Sequence, residues 1–76
     1  MIIYKKDIMA ELSKNGFGAG RLKKEKLLPC QTAQNIKEGK SISLETLNKI
    51  CCMLRCQPSE LIEWDPTDAE KIKYFF

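Results

Sequence analysis

Histidine is absent from this chain of 76 residues. The commonest general base at neutral pH is therefore missing, as is the imidazole of mixed zinc sites. Carboxylates lie scattered among lysines, and Gly16-x-Gly18-x-Gly20 has neither the spacing nor the βαβ context of a dinucleotide fingerprint. An enzyme is the least supported class, and no cofactor is expected. No apolar run approaches the ~18 residues of a membrane span, and no signal-peptide pattern opens the chain. A soluble cytoplasmic protein without a membrane partner is the expectation. Repeats, linkers and low-complexity segments are also lacking, so residues 1–76 read as one domain.

The four cysteines are Cys30, Cys51, Cys52 and Cys56. In a chain without a secretory signal they are expected to be reduced. Their lopsided cluster does not match the paired units of structural zinc, so no metal is expected. Cys51 and Cys56 read as core residues, and Cys52 as an exposed thiol or interface residue.

Charge is distributed unevenly. Residues 1–40 carry nine Lys/Arg against four Asp/Glu, whereas residues 57–76 carry two against five. The first part is the polyanion-facing one, and the acidic tail points away from it. A domain this small buries only about 60% of its unfolded surface, which leaves a narrow stability margin.

Periodicity gives the elements. Met1–Tyr4 is apolar and β-prone, and either forms a short strand or folds back on the core. Tyr4, Ile8 and Leu12 recur every four residues, which predicts an amphipathic helix ending at Asn15-Gly16. Phe17 then plugs the core. A second helix spans about Ala19–Lys26 with Leu22 inward, and its entry, Gly18-Ala19-Gly20, offers no capping side chain. Pro29 suits the first turn of a third helix, Pro29–Glu38, closed by Gly39. Thr32, Ala33 and Ile36 share its inner side, whereas Gln31, Gln34 and Glu38 face outward with Asn35 and Cys30 on the flanks. Ser43 caps a fourth helix whose inward stripe is Leu44, Leu47, Ile50, Cys51 and Leu54. A short fifth helix, PSELIE, buries Leu61 and Ile62, with Trp64 as an apolar anchor. Residues 65–76 form a C-terminal extension rich in apolar side chains: Ile72, Tyr74, Phe75 and Phe76.

A second and third helix this close in sequence predict a bihelical unit with a projecting second member. Outward glutamine and asparagine are the side chains that pair with adenine edges, and basic flanks fit phosphates. Double-stranded DNA is the expected partner.

The segments RLKKEKLLPCQTAQNIKEGK, SISLETLNKIC and CQPSELIEW carry a resemblance to the Cro/CI-type helix-turn-helix regulators, the XRE-like family, in particular its small single-domain bacterial versions. It covers about Tyr4 to Trp64. The resemblance implies an all-α, five-helix, lambda-repressor-like DNA-binding domain with core 4–64. By position it implies base contacts from Cys30, Gln31, Gln34 and Asn35, and phosphate contacts from Ala19, Gly20, Arg21, Lys24, Lys40 and Ser41. The sequence departs from the pattern at Lys23, Leu27, Pro29 and Glu38, where many members have a small residue, a turn glycine, a capping hydroxyl and no acid. The function expected is sequence-specific transcription regulation, of repressor type, by a homodimer. The competing expectation is a protein-interaction module on the same scaffold, antitoxin-like or regulator-binding, using the C-terminal aromatic segment.

Overall fold

A computed structural model describes residues 1–75 of the chain. The order is β1 (Ile2–Tyr4), α1 (Ile8–Lys14), α2 (Ala19–Lys24), α3 (Cys30–Lys37), α4 (Leu44–Leu54), a 3-10 turn (Pro58–Glu60), β2 (Ile62–Trp64) and α5 (Asp68–Tyr74). Five α-helices and one short sheet give the mostly helical domain expected. Phe76, expected in the terminal apolar cluster, lies outside the described residues.

The core is a single cluster: Ile8, Leu12, Leu22, Leu28, Ile36, Leu47, Ile50 and Leu61. Helix α1 supplies two of these and packs against both α3 and α4. The helix starts at Ile8 and not at Tyr4, because the Asp7 side chain accepts from the Ala10 N–H and caps it there. Tyr4 belongs to β1 instead. Its spacing to Ile8 and Leu12 keeps it against the core without helical backbone.

Helices α1 to α4 all end the same way. A left-handed residue (the one after the C-cap in α1 to α3, the C-cap itself in α4) precedes an N–H that reaches back five residues to a carbonyl: Phe17 to Leu12, Leu27 to Leu22, Lys40 to Asn35 and Cys56 to Cys51. This is the Schellman closure, which also draws the two side chains at its ends together. Glycine holds the left-handed position after α1 and α3 (Gly16, Gly39), whereas Lys26 and Arg55 hold it after α2 and α4 at φ 54° and 53°. The turn between α2 and α3 thus bends at Lys26, one residue before Leu27, the position where the family pattern has its glycine.

Two sequence expectations fail along α4 and beyond. Leu44 is 84% exposed, so the inward stripe starts at Leu47. Leu44 opens the helix, and a first-turn side chain leans back over the entry, past the core. The segment PSELIE is not a helix. One 3-10 turn forms over Pro58–Glu60, and the chain then extends, with Ile62 opposite Tyr4, Glu63 opposite Ile3 and Trp64 opposite Ile2 in an antiparallel pair. The fifth α-helix lies further on, in the C-terminal extension. Leu61 is buried as expected and Ile62 half-buried, but Trp64 is 62% exposed and anchors nothing in the core.

Candidate nucleic-acid interface

Helix α3 is amphipathic in the sense that matters for a groove. Ile36 is buried and Thr32 and Ala33 are half-buried, which fixes the inner side on the core. Cys30, Gln31 and Gln34 are exposed, and Asn35 is half-buried at the flank. The Gln31 Nε2 donates to Asn35 Oδ1 at 3.0 Å, one helical turn on. That bond orients both amides and uses one donor of Gln31 and one acceptor of Asn35. Gln34 has no side-chain bond among the described residues, so its amide keeps both functions free for a base edge. Pro29 stands at the N-cap position with φ −60° and ψ 148°, one residue earlier than the first-turn place expected. No side chain caps this helix start.

Helix α2 begins with Gly18 as N-cap and likewise without a side-chain cap. Ala19, Gly20 and Arg21 are exposed there. The Arg21 guanidinium lies 4.3 Å from the centre of the Phe17 ring, and it donates to the Gly16 carbonyl at 3.2 Å and to the Glu25 carboxylate. A stacked, doubly held guanidinium is pre-oriented, and two of its five N–H donors are used by these bonds. Phe17 is half-buried against the core, so it forms the floor for the cation more than a plug.

Lys24 is exposed and has no carboxylate partner among the described residues. Lys40 and Ser41 are exposed beyond Gly39, and the Lys40 Nζ lies 3.3 Å from Glu38. Glu38 thus meets a cation of its own chain. The segment they occupy is pinned by Tyr4, whose hydroxyl donates to the Lys40 carbonyl at 2.5 Å. Burial pushes the Tyr4 phenol above its ordinary pKa, so it stays a donor at neutral pH. The ion pairs of Arg21 and Lys40 are solvent-exposed, and such pairs are worth about 0–1 kcal/mol, so exchange for a phosphate costs little.

Three supporting residues escaped the sequence reading: Phe17 as the stacking floor, Glu25 as the brace of Arg21, and Tyr4 as the pin of the loop after α3. The Arg21–Glu25 pair was discoverable from its spacing of four on a helix. The Tyr4 contact joins residues 36 apart and left no local signal.

The cysteines sort as expected. Cys51 and Cys56 are half-buried against the core, whereas Cys30 and Cys52 are exposed. Burial, and then the neighbouring thiols Cys56 and Cys52, push the Cys51 thiol up. Among the described residues, no three His, Cys, Asp or Glu side chains are placed to share a metal ion. No helix among them is long and apolar enough to cross a membrane.

This arrangement is an uncapped α2 start, a tight closed turn, and a second helix with polar amides outward on a basic frame. The family model described as Cro/C1-type HTH DNA-binding domain matches residues 9–67. The chain belongs to that family. No curated protein and no solved structure matches it. As a Cro/C1-type domain its partner is DNA, and α2 and α3 are its helix-turn-helix. The match begins inside α1 and ends just before α5, so the C-terminal helix lies outside the shared pattern.

Proposed function

We propose that this Cro/C1-type domain is a sequence-specific transcription regulator that lays α3 in the major groove. The observation that carries the reading is the outward face of α3: Gln31 and Gln34 exposed on a helix held from behind by buried Ile36. A bidentate amide–adenine pair discriminates by about 1–3 kcal/mol. Gln34 makes that pair, because its amide is free, and Gln31 with Asn35 acts as one linked unit on the neighbouring base. Cys30 touches the groove floor from the first turn. The N–H groups of Ala19 and Gly20 at the uncapped α2 start, together with Arg21, Lys24, Lys40 and Ser41, grip phosphates and set the register.

Few base contacts per copy give modest specificity, so the acting species is a homodimer on two half-sites. Occupancy of such a site blocks or redirects polymerase, which makes repression the first expected outcome. A regulator-binding accessory protein is the second reading, and it is favoured by exposed apolar side chains on α5, Ile72 and Tyr74 among them.

Selection from a random duplex library tests the reading. The parent enriches one motif, and Gln34→Ala relaxes one position of it by about 5- to 150-fold, the equivalent of 1–3 kcal/mol. Arg21→Ala and Lys24→Ala weaken binding to all duplexes and lower the salt slope by about 0.9 for each phosphate no longer neutralised. Variants that bind every duplex like the parent would exclude this docking.

A further inference from the structure

We propose that Cys51 and Cys56 form a dithiol site that reduces a low-molecular-weight disulfide and closes an intrachain bridge, which staples the end of α4 to the turn after it. The site shares no residue with the proposed groove contacts and stands apart from the DNA reading. At the end of α4 the Cys56 N–H donates to the Cys51 carbonyl at 3.2 Å, and Arg55 between them is left-handed. A bond of that length keeps the two Cα atoms at most about 7 Å apart, the limit beyond which a disulfide requires backbone movement. The closure also turns these two side chains toward each other, because the residues at its ends share a contact. In the other three closures those places hold Leu12 with Phe17, Leu22 with Leu27 and Asn35 with Lys40. Only after α4 is the pair two thiols.

Burial and access divide the work among the cysteines. Cys51 and Cys56 are free, half-buried and packed on the core cluster. An open depression beside them is lined by Cys51, Cys52, Arg55, Cys56, Gln57 and Glu60, which gives a small reactant an approach. Arg55 brings a cation to that wall and has no carboxylate partner among the described residues. It suits a disulfide that carries carboxylates, such as oxidised glutathione. The Glu60 carboxylate in the same wall already accepts from the Gln57 N–H at 2.8 Å. Cys52 is exposed but does not fit the bridge. Neighbours on a helix point about 100° apart, so it cannot join Cys51 without distorting α4, and the closure aligns Cys56 with Cys51 instead.

The exchange needs no reactant besides the external disulfide. The Cys56 thiolate attacks one sulfur of it, breaks its S–S bond and releases one small thiolate. Cys51 then gives its proton to solvent, attacks the Cys56 sulfur of the mixed disulfide and releases the second thiolate. Two protein thiols are oxidised to one bridge, and one small disulfide is reduced to two thiols. Cys51 reacts second because burial, and then the thiols of Cys56 and Cys52, hold its proton on more tightly. The bridge fastens two parts of the fold. Leu47 and Ile50 before it are buried in the core, and helix α4 touches the turn Pro58–Glu60 that leads through buried Leu61 into β2.

Oxidised glutathione added to the folded full chain tests this. Trypsin cuts after Lys49, Arg55 and Lys71, so the bridge is read as peptides 50–55 and 56–71 that stay joined until a reductant is added. The parent, Cys30→Ser and Cys52→Ser should all give that joined pair. Cys51→Ser and Cys51→Ala should both lack it and instead accumulate glutathione on Cys56. In the parent the bridge should form at least about 10-fold more favourably in buffer than in strong urea, where the closure is lost. Equal formation in urea, a pair that disappears in Cys52→Ser, or chains joined only to one another would overturn the inference. So would a parent whose Cys52 takes up glutathione while the two peptides remain separate.

Discussion

The two ends of this molecule are stabilised by opposite means. Among the described residues, all eight buried apolar side chains lie within 8–61, so each helix there is held by what lies beneath it. The terminal arm, β1 with β2 and α5, contains none of them. It is held by local polar closures: the Thr67 hydroxyl accepts from the Glu70 N–H at 3.2 Å, the Glu70 carboxylate accepts from the Thr67 N–H at 3.0 Å, and the N-terminus joins them. A hydroxyl cap such as Thr67 is worth about 1 kcal/mol, whereas one buried leucine is worth several. The recognition half is therefore rigid before it meets DNA. The arm gains its stability from whatever covers it.

Substitutions sharpen or break that contrast. Leu12→Ala or Ile50→Ala, both at 0% exposure, should cost about 2–5 kcal/mol in urea unfolding. Ile72→Ala, measured at concentrations where the chain is a single copy, should cost under about 0.5 kcal/mol. Comparable losses at both places would erase the distinction. Removing the caps of the recognition half, Asp7→Ala or Ser43→Ala, should each cost about 1 kcal/mol, because each side chain satisfies one helix N–H. Lys26→Gly and Arg55→Gly should each stabilise by about 0.5–1 kcal/mol, since glycine adopts their left-handed backbone without the steric cost. No gain in thermal midpoint would mean that those side chains contribute packing that offsets the strain.

The smallest effect is one of pH. The N-terminal ammonium and the Thr67 N–H hold the Glu70 carboxyl below its ordinary 4.5. A depressed carboxylate stabilises fully above that ordinary value and stops doing so as pH falls through the lower folded value. The exchange protection of α5 amides, relative to the unstructured rate at each pH, should therefore fall below about pH 4.5, before that of α1, and Glu70→Gln should abolish the difference.

The recognition half was largely legible in the sequence because its signals are local. Asn15-Gly16, Gly39 and Ser43 mark helix ends by their own chemistry. Thr32, Ala33 and Ile36 define the inner side of α3 by spacing alone, which leaves Gln31 and Gln34 outside. The arm was not legible, because its pairing joins residues about sixty apart and periodicity has no such reach. Ile62-Glu63-Trp64 follows Pro58 and a helix-like Ser-Glu-Leu, so it reads as helix until a strand is available to pair with it. Lys26 and Arg55 carry no mark of a left-handed turn. They are forced into it by the Leu22–Leu27 and Cys51–Cys56 closures around them. Leu44 misled because a helical wheel ignores the tilt of first-turn side chains.

Nitrogen-resolved NMR of the labelled chain titrated with a selected duplex separates docking through α3 from docking through the terminal arm. Docking of α3 in the groove requires that the side-chain amide signals of Gln31 and Gln34 and the backbone signals of Ala19, Gly20 and Lys40 move together, while those of α5 stay in place. Shifts concentrated on Trp64 and residues 68–74, with the α3 amides unmoved, would contradict it.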